Sequence, residues 1–267
     1  MNEAITKALS KEYLVEALKR LGVESGMVLE VHSALSKLGF IIGGAETYND
    51  ALIEAIGHNG TIVMPFQDAY NTEPALFRYP PIAYELQETY RSTMPAFDPR
   101  RSEIYQMGKS VENMRRREGV EFSKHPNCAF LAYGRYAKTL MAHHDLDFAL
   151  DDDSPLGKLY EMKASCLLVG CSYDNMTSLH LAEYRTKVRG IKVDGAALYE
   201  DGKRVYKNYL DICLDSDDGF EEIGARLEAK GLVKMMKVGE CELRLLRIDQ
   251  AVLEGTTYYL ERMMKYR

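Results

Sequence analysis

Apolar positions Leu14, Val15, Leu18 and Leu21 recur at helical spacing, and Gly22 supplies a stop, so an amphipathic helix is expected near the start of the chain. Met27 to Val31 then reads as a short strand that opens into His32-Ser33-Ala34-Leu35-Ser36. A second helix is predicted over Thr47 to Ile56, with Tyr48, Leu52, Ala55 and Ile56 on one face. Gly57 to Gly60 turns the chain into the run Thr61-Ile62-Val63-Met64, a strand that Pro65 is expected to stop. Strand, helix and strand in this order predict an α/β architecture with a sheet covered on both faces.

Residues 66–110 lose periodicity and hold five of the eight prolines. Their many aromatics point to functional loop and short helix rather than linker. A helix is expected from Ser110 to Arg117, and a buried strand at Cys166-Leu167-Leu168-Val169-Gly170 that leads through a turn to a helix from about Thr177. Gly195 to Leu214 alternates as a hairpin, with Glu200-Asp201-Gly202-Lys203 as its turn. Helical segments near 219–230 and 249–264 close the chain. With no repeat, low-complexity stretch or linker in view, a single domain is expected over residues 1–267.

Charge narrows the classes of function. Against 34 Lys+Arg stand 40 Asp+Glu, a net charge of −6, where a bulk nucleic-acid binder would carry a basic excess. An acidic balance instead suits a small cationic partner. Hydrophobic residues at 46% and charged residues at 28% form an ordinary globular mixture and exclude disorder. No apolar run approaches the ~18 residues of a membrane span. Met1 to Arg20 mixes charges through its apolar positions and does not read as a secretory leader, so the cytoplasm is expected. Five cysteines (Cys128, Cys166, Cys171, Cys213 and Cys241) form no C-x-x-C pair, so neither a disulfide framework nor a zinc ribbon is expected.

The strongest local chemical signal is Thr177-Ser178-Leu179-His180-Leu181-Ala182-Glu183, just after the Cys166–Gly170 strand, where α/β sheets gather their sites. Asp174, Asn175, Thr177 and Ser178 are all possible N-caps for the helix. His180 and Glu183, three apart, share a helix face. A carboxylate beside an imidazole fixes its tautomer and suits it to general-base work. A plain surface His–Glu pair has the same spacing. His125-Pro126-Asn127-Cys128 places a thiol near an imidazole, yet the apolar Ala129 to Ala132 that follows reads Cys128 as a buried residue, and Cys171 reads the same way. His32 to Ser36, with Gly39, Gly43 and Gly44, offers amides and hydroxyls to a phosphate-bearing ligand or forms a simple turn, and matches neither a P-loop nor G-x-G-x-x-G. Asp145, Asp147 and Asp151 to Asp153 form a solvated loop or, with His143 and His144, a metal site of undefined geometry. Arg115 to Arg117 reads as an exposed helix face.

Six blocks in one order, VHSALSKLGFIIGGAE (31–46), GTIVMP (60–65), MPAFDP (94–99), HPNCAF (125–130), DSPLGKLYE (153–161) and TSLHLAEYR (177–185), resemble the aminoglycoside 3-N-acetyltransferase (antibiotic N-acetyltransferase) family. The resemblance implies a family-specific α/β/α layered fold with a C-terminal hairpin and helices, distinct from the GNAT fold. It also implies an acetyl-CoA-dependent acyltransferase with no metal. It assigns His180 as the catalytic base, Glu183 as the carboxylate that orients it and Thr177 as an oxyanion donor. His32, Ser33, Ala34, Leu35, Ser36, Gly108 and Ser110 match the coenzyme A site, and Asp68, Asp152 and Asp153 are the implied contacts to a cationic aminoglycoside or amino sugar. No nucleic-acid or membrane partner is expected, and the protein is a monomer or homodimer on this reading. A metal-dependent hydrolase built on His180, Glu183 and His143, and a non-catalytic coenzyme A-binding protein, are the alternatives from other classes.

Overall fold

Ser10 caps the first helix of the computed structural model by accepting the amide of Tyr13, and Gly22 ends it in the left-handed region at φ 111°. Between them α1 (Lys11–Leu21) buries Leu14, Val15, Leu18 and Leu21, as the spacing predicts. The structure describes residues 5–68, 70–78, 80–104, 106–214 and 219–265. The first four residues of the stretch read for a leader, and residues 69, 79 and 105 of the irregular segment, lie outside them.

The strands are β1 (Val28–Ser33), β2 (Thr61–Phe66), β3 (Glu121–Phe122), β4 (Ala129–Gly134), β5 (Ser165–Val169), β6 (Ile191–Glu200), β7 (Lys203–Ile212), β8 (Val233–Val238) and β9 (Cys241–Arg247). The remaining helices are α2 (Gly44–Ile56), α3 (Tyr84–Thr93), α4 (Gly108–Arg115), α5 (Ala137–Met141), α6 (Pro155–Glu161), α7 (His180–Thr186), α8 (Phe220–Ala229) and α9 (Ile248–Lys265). Seven strands form one mixed sheet in the order β3-β4-β2-β1-β5-β9-β8. Its centre, β2-β1-β5, is parallel, and the flanking pairs are antiparallel.

Side chains alternate across this sheet and so sort into two apolar layers. Leu29, Val31, Ile62, Met64, Leu167 and Val169 pack with α1, α2 and Met114 of α4. Val28, Val63, Cys166 and Leu168 face the other way, toward Leu156, Leu181, Phe220 and Val252 on α6 to α9. The α/β/α layering is therefore as expected. Truncating a residue such as Leu29, wholly buried in the central strand, to Ala removes ~2–5 kcal/mol.

The hairpin β6-β7 stands apart as a two-stranded sheet and spans 191–212, earlier and shorter at its end than the expected 195–214. Its turn is where the sequence placed it. Asp201 (φ 47°) and Gly202 (φ 75°) occupy the two left-handed positions of a tight turn between the paired Glu200 and Lys203. The hairpin fastens the irregular 66–107 segment: the Asn71 amide both donates to and accepts from Ala197, at 2.7 and 2.8 Å. Phe97 N–H donates to the same Ala197 carbonyl.

Pro65 does not end its strand. Pairing with β1 runs only to Val63, so the missing N–H falls where the two strands have parted, while β4 continues opposite Pro65 and Phe66. Arg115 is not on an exposed face: it is buried and donates to Ser102 O at 2.8 Å, while Arg117 pairs with Asp50 at 2.6 Å and Arg116 alone of the three is exposed. Strands β3, β4, β8 and β9 are not among the elements the hydrophobic pattern predicts.

Candidate active site

Because β1, β2 and β5 run parallel, their carboxyl ends share one edge of the sheet. There His32 and Ser33 end β1, Pro65 and Phe66 end β2, and Asp174, Asn175, Thr177 and His180 follow β5. These residues, with Asn127 and Cys128, line a cleft of about 290 Å3.

A single turn of 3-10 helix, Thr177–Leu179, delivers His180 to the first position of α7. One helical turn on, Glu183 accepts from His180 Nδ1 at 2.5 Å through Oε2. Its other oxygen accepts from Arg189 Nε at 2.6 Å, and the carboxylate is wholly buried between the two. Lys187, left-handed at φ 54°, ends the helix and turns the chain so that Arg189 returns to it. The acceptor at Nδ1 assigns the hydrogen to that nitrogen, which leaves Nε2 with its lone pair free to take a proton. The Phe220 ring, 4.9 Å away centroid to centroid, packs against the imidazole. Arg189 and Phe220 escaped the sequence reading, because each reaches the site across a chain reversal that no local spacing reports.

Ser33 is shared with a second cleft of about 470 Å3, lined by Ser33, Ala34, Leu35 and Ser36 together with Gly39, Gly44, Gly108 and Lys109. The starts of α2 and α4 lie on it, and neither is capped by a side chain. Ser110 sits behind this wall, buried, with its hydroxyl donating to Asn49 Oδ1 at 2.7 Å. Gly108 has φ 77°, a backbone that disfavours any side chain there.

The acidic candidates scatter. Asp68 accepts the Tyr70 and Asn71 amides at 2.8 and 2.9 Å. It also lines a neighbouring cleft of about 540 Å3 with Tyr70, Tyr90, Asp98, Glu103 and Tyr199. Gln67, the residue before Asp68, lines the His180 cleft, and Asp68 itself does not. Asp152 is engaged by Arg185 at 2.5 Å, Asp153 is exposed, and neither lines the His180 cleft. Asp174, noted in the sequence only as a cap, does line it, and burial, then Glu221 and Glu222, raise its carboxyl above the usual range.

His143 pairs with Asp145 at 2.9 Å outside the cleft, so the three-residue set of the hydrolase reading is not assembled. The rings of His144 and His125 lie 5.1 Å apart, tilted by 31°, and burial pushes them down to about 3 and about 4. His125 Nδ1 accepts the Cys128 amide at 3.0 Å rather than its thiol. Burial drives that thiol's pKa well up, so no thiolate is available at Cys128.

A mixed sheet between two helical layers, with a carboxylate-backed imidazole at its parallel edge, defines the architecture to be matched. The family model for aminoglycoside 3-N-acetyltransferase matches residues 31–260, and the chain belongs to that family of acyltransferases. YokD of Bacillus subtilis (strain 168), a SPbeta prophage-derived aminoglycoside N(3')-acetyltransferase-like protein, is 38% identical over 251 residues, covering 94% of this chain and 92% of YokD. Its crystal structure matches with a TM-score of 0.94 at 36% identity, covering 97% of this chain and 96% of that one. AAC-IIIb in binary complex with CoASH matches with a TM-score of 0.85 at 25% identity, over 96% and 98% of the two chains. AAC-VIa bound to sisomicin matches with a TM-score of 0.84 at 28% identity, over 96% and 99%. Among the described residues no helix is long and apolar enough to cross a membrane.

Proposed function

We propose that this family member transfers the acetyl group of acetyl-CoA to an amine of an aminoglycoside (the 3-amino group of 2-deoxystreptamine) or a related amino sugar, with His180 as general base. The observation that carries this reading is the Glu183-backed His180 in a cleft that continues, through Ser33, into a glycine-lined strip. Family relatives with bound CoASH and bound sisomicin support the two ligand classes.

The strip fits a pyrophosphate-bearing donor. Two uncapped helix starts aim backbone N–H groups and positive dipole ends at it, and Lys109 adds a cation. Ser33 to Ser36 and Gly108 form its wall, and the thioester end reaches the cleft past His32 and Ser33. Ser110, behind the wall, contributes through Asn49 to the placing of α4 against α2.

An alkylammonium, with a reference pKa of ~10.4, has no lone pair to attack with until it loses a proton. His180 Nε2 takes that proton as the amine nitrogen bonds to the thioester carbonyl carbon, and Thr177 donates its hydroxyl to the oxygen that becomes negative. The C–S bond then breaks, and the departing coenzyme A thiolate recovers a proton, with the imidazolium as its source. Asp174 within the cleft, and Asp68, Asp98 and Glu103 beside it, hold the remaining ammonium groups of a polycation.

The test is thiol release from acetyl-CoA against a panel of aminoglycosides and amino sugars. His180→Ala is expected to lose ~10²–10⁴-fold in turnover, with coenzyme A affinity close to wild type. Near-wild-type turnover in that variant overturns the assignment.

A further inference from the structure

Strand β1 carries a second carboxylate that the acetyl transfer does not use. Glu30 sits in mid-strand, opposite Val63 on β2 and Cys166 on β5, and is wholly buried. Neither of its oxygens has a hydrogen-bond partner. Two residues on, and therefore on the same face, His32 places Nε2 3.5 Å from Glu30 Oε1, and that nitrogen is also buried without a hydrogen bond. Cys166 shares the face by register rather than by spacing, and the ligand atoms of all three residues lie within 4.8 Å of one another. No other group of three such donors converges among the described residues.

We propose that Glu30, His32 and Cys166 form a binding site for a divalent metal ion of the zinc class, entered from the cleft that His32 lines. The family resemblance implies no metal, and these ligands, joined across two strands, form no local motif.

Three arguments converge. One nitrogen, one oxygen and one sulfur ligand suit zinc, whereas magnesium and calcium take oxygen alone. Two tetrahedral ligands at ~2.0 Å from a common ion stand about 3.3 Å apart, close to the 3.5 Å between His32 Nε2 and Glu30 Oε1. Charge also balances: a carboxylate and a thiolate neutralise the dication, so the filled site is neutral in an apolar layer where an unpartnered carboxylate is costly. Three protein ligands leave a fourth position, which zinc fills with water.

Filling the site forms a metal–sulfur bond and releases the Cys166 thiol proton to solvent.

The test uses the full chain and needs no acetyl transfer. Apo protein is titrated with Co2+ under reducing, anaerobic conditions, and the thiolate-to-cobalt charge-transfer absorption is followed before Zn2+ displaces the cobalt. One equivalent per chain, with the absorption lost in Cys166→Ser and zinc affinity at least ~10-fold weaker in Glu30→Gln, is expected. Cys128→Ser and His180→Ala, whose side chains line the same cleft, should bind as wild type. X-ray absorption on the wild-type zinc form should show one sulfur at ~2.3 Å, a readout that does not depend on any variant folding. No binding at micromolar metal, a zinc shell without sulfur, or cobalt absorption that persists in folded Cys166→Ser and disappears in Cys128→Ser overturns the proposal.

Discussion

Glu183→Gln separates charge from shape at the centre of the site. The wild-type carboxylate accepts from His180 Nδ1 at 2.5 Å and from Arg189 Nε at 2.6 Å, with no exposed surface of its own. Glutamine offers one acceptor and one NH2. Arg189 only donates, so it holds the amide oxygen and turns the NH2 toward His180 Nδ1, which must then act as an acceptor. The imidazole hydrogen moves to Nε2, the atom that has to receive the substrate's proton. Turnover should fall ~10²–10⁴-fold. Stability also falls, because the Arg189 guanidinium exchanges a charged acceptor for a neutral one. A fully buried pair broken outright costs ~3–5 kcal/mol; here the amide oxygen still accepts from Arg189 and its side chain is 16% exposed, so the loss is about 1–2 kcal/mol. A loss of that size lowers Tm by roughly 2–8 °C for a chain of this length. Arg189→Met is the paired control. It costs similar stability but leaves Glu183 accepting from Nδ1, so kcat should fall ~10-fold or less. The assay is thiol release with kcat and KM separated, run well below both melting temperatures. Folded Glu183→Gln with kcat within about threefold of wild type refutes the tautomer argument.

Three further outcomes follow from the site and its surroundings. Cys128→Ser should leave kcat almost unchanged, and mass spectrometry of rapidly quenched enzyme should find no acetyl-cysteine, since its thiol stays protonated. Asp68→Asn should raise the KM of a polycationic substrate several-fold and that of acetyl-CoA little, with the difference shrinking at high salt. His125 and His144, pushed down to about 4 and about 3, fold neutral, so their contribution is complete above the unfolded value of ~6.5 and is lost as pH falls below it. By pH ~5 each has given up about 2 kcal/mol, and thermal melts from pH 7 to 5 should show a shallower decline in His144→Asn than in wild type.

Much of the architecture was legible because amphipathic periodicity reports burial directly. The helix over Leu14 to Leu21 and the Asp201-Gly202 turn stand where the pattern put them, and the strand expected at Met27 to Val31 runs from Val28 to Ser33. Strand β9 has an equally plain signal in the sequence: Cys241, Leu243 and Leu245 alternate inward just after a Gly239 at φ 58°. Strand β4 was harder, since Ala129 to Ala132 is buried on both faces and shows no alternation. The candidate base was visible as a helical i, i+3 pair, and its distinction from a surface pair came from the ordered blocks around it. Asp152 and Asp153 illustrate the opposite case: a conspicuous acidic run whose members face Arg185 and solvent.

The sequence by itself determined the layer type, the elements of strongest period and the family, because these depend on local spacing and on the order of short blocks. Tertiary structure decided what each polar group meets. Arg189 reaches Glu183 only after a left-handed turn, and His180 shares its cleft with Ser33 only because β1 and β5 run parallel. Cys166 comes to Glu30 by strand register across well over a hundred residues. Pairing between distant strands is set by how the whole sheet buries its two faces at once, and no window of sequence contains that sum.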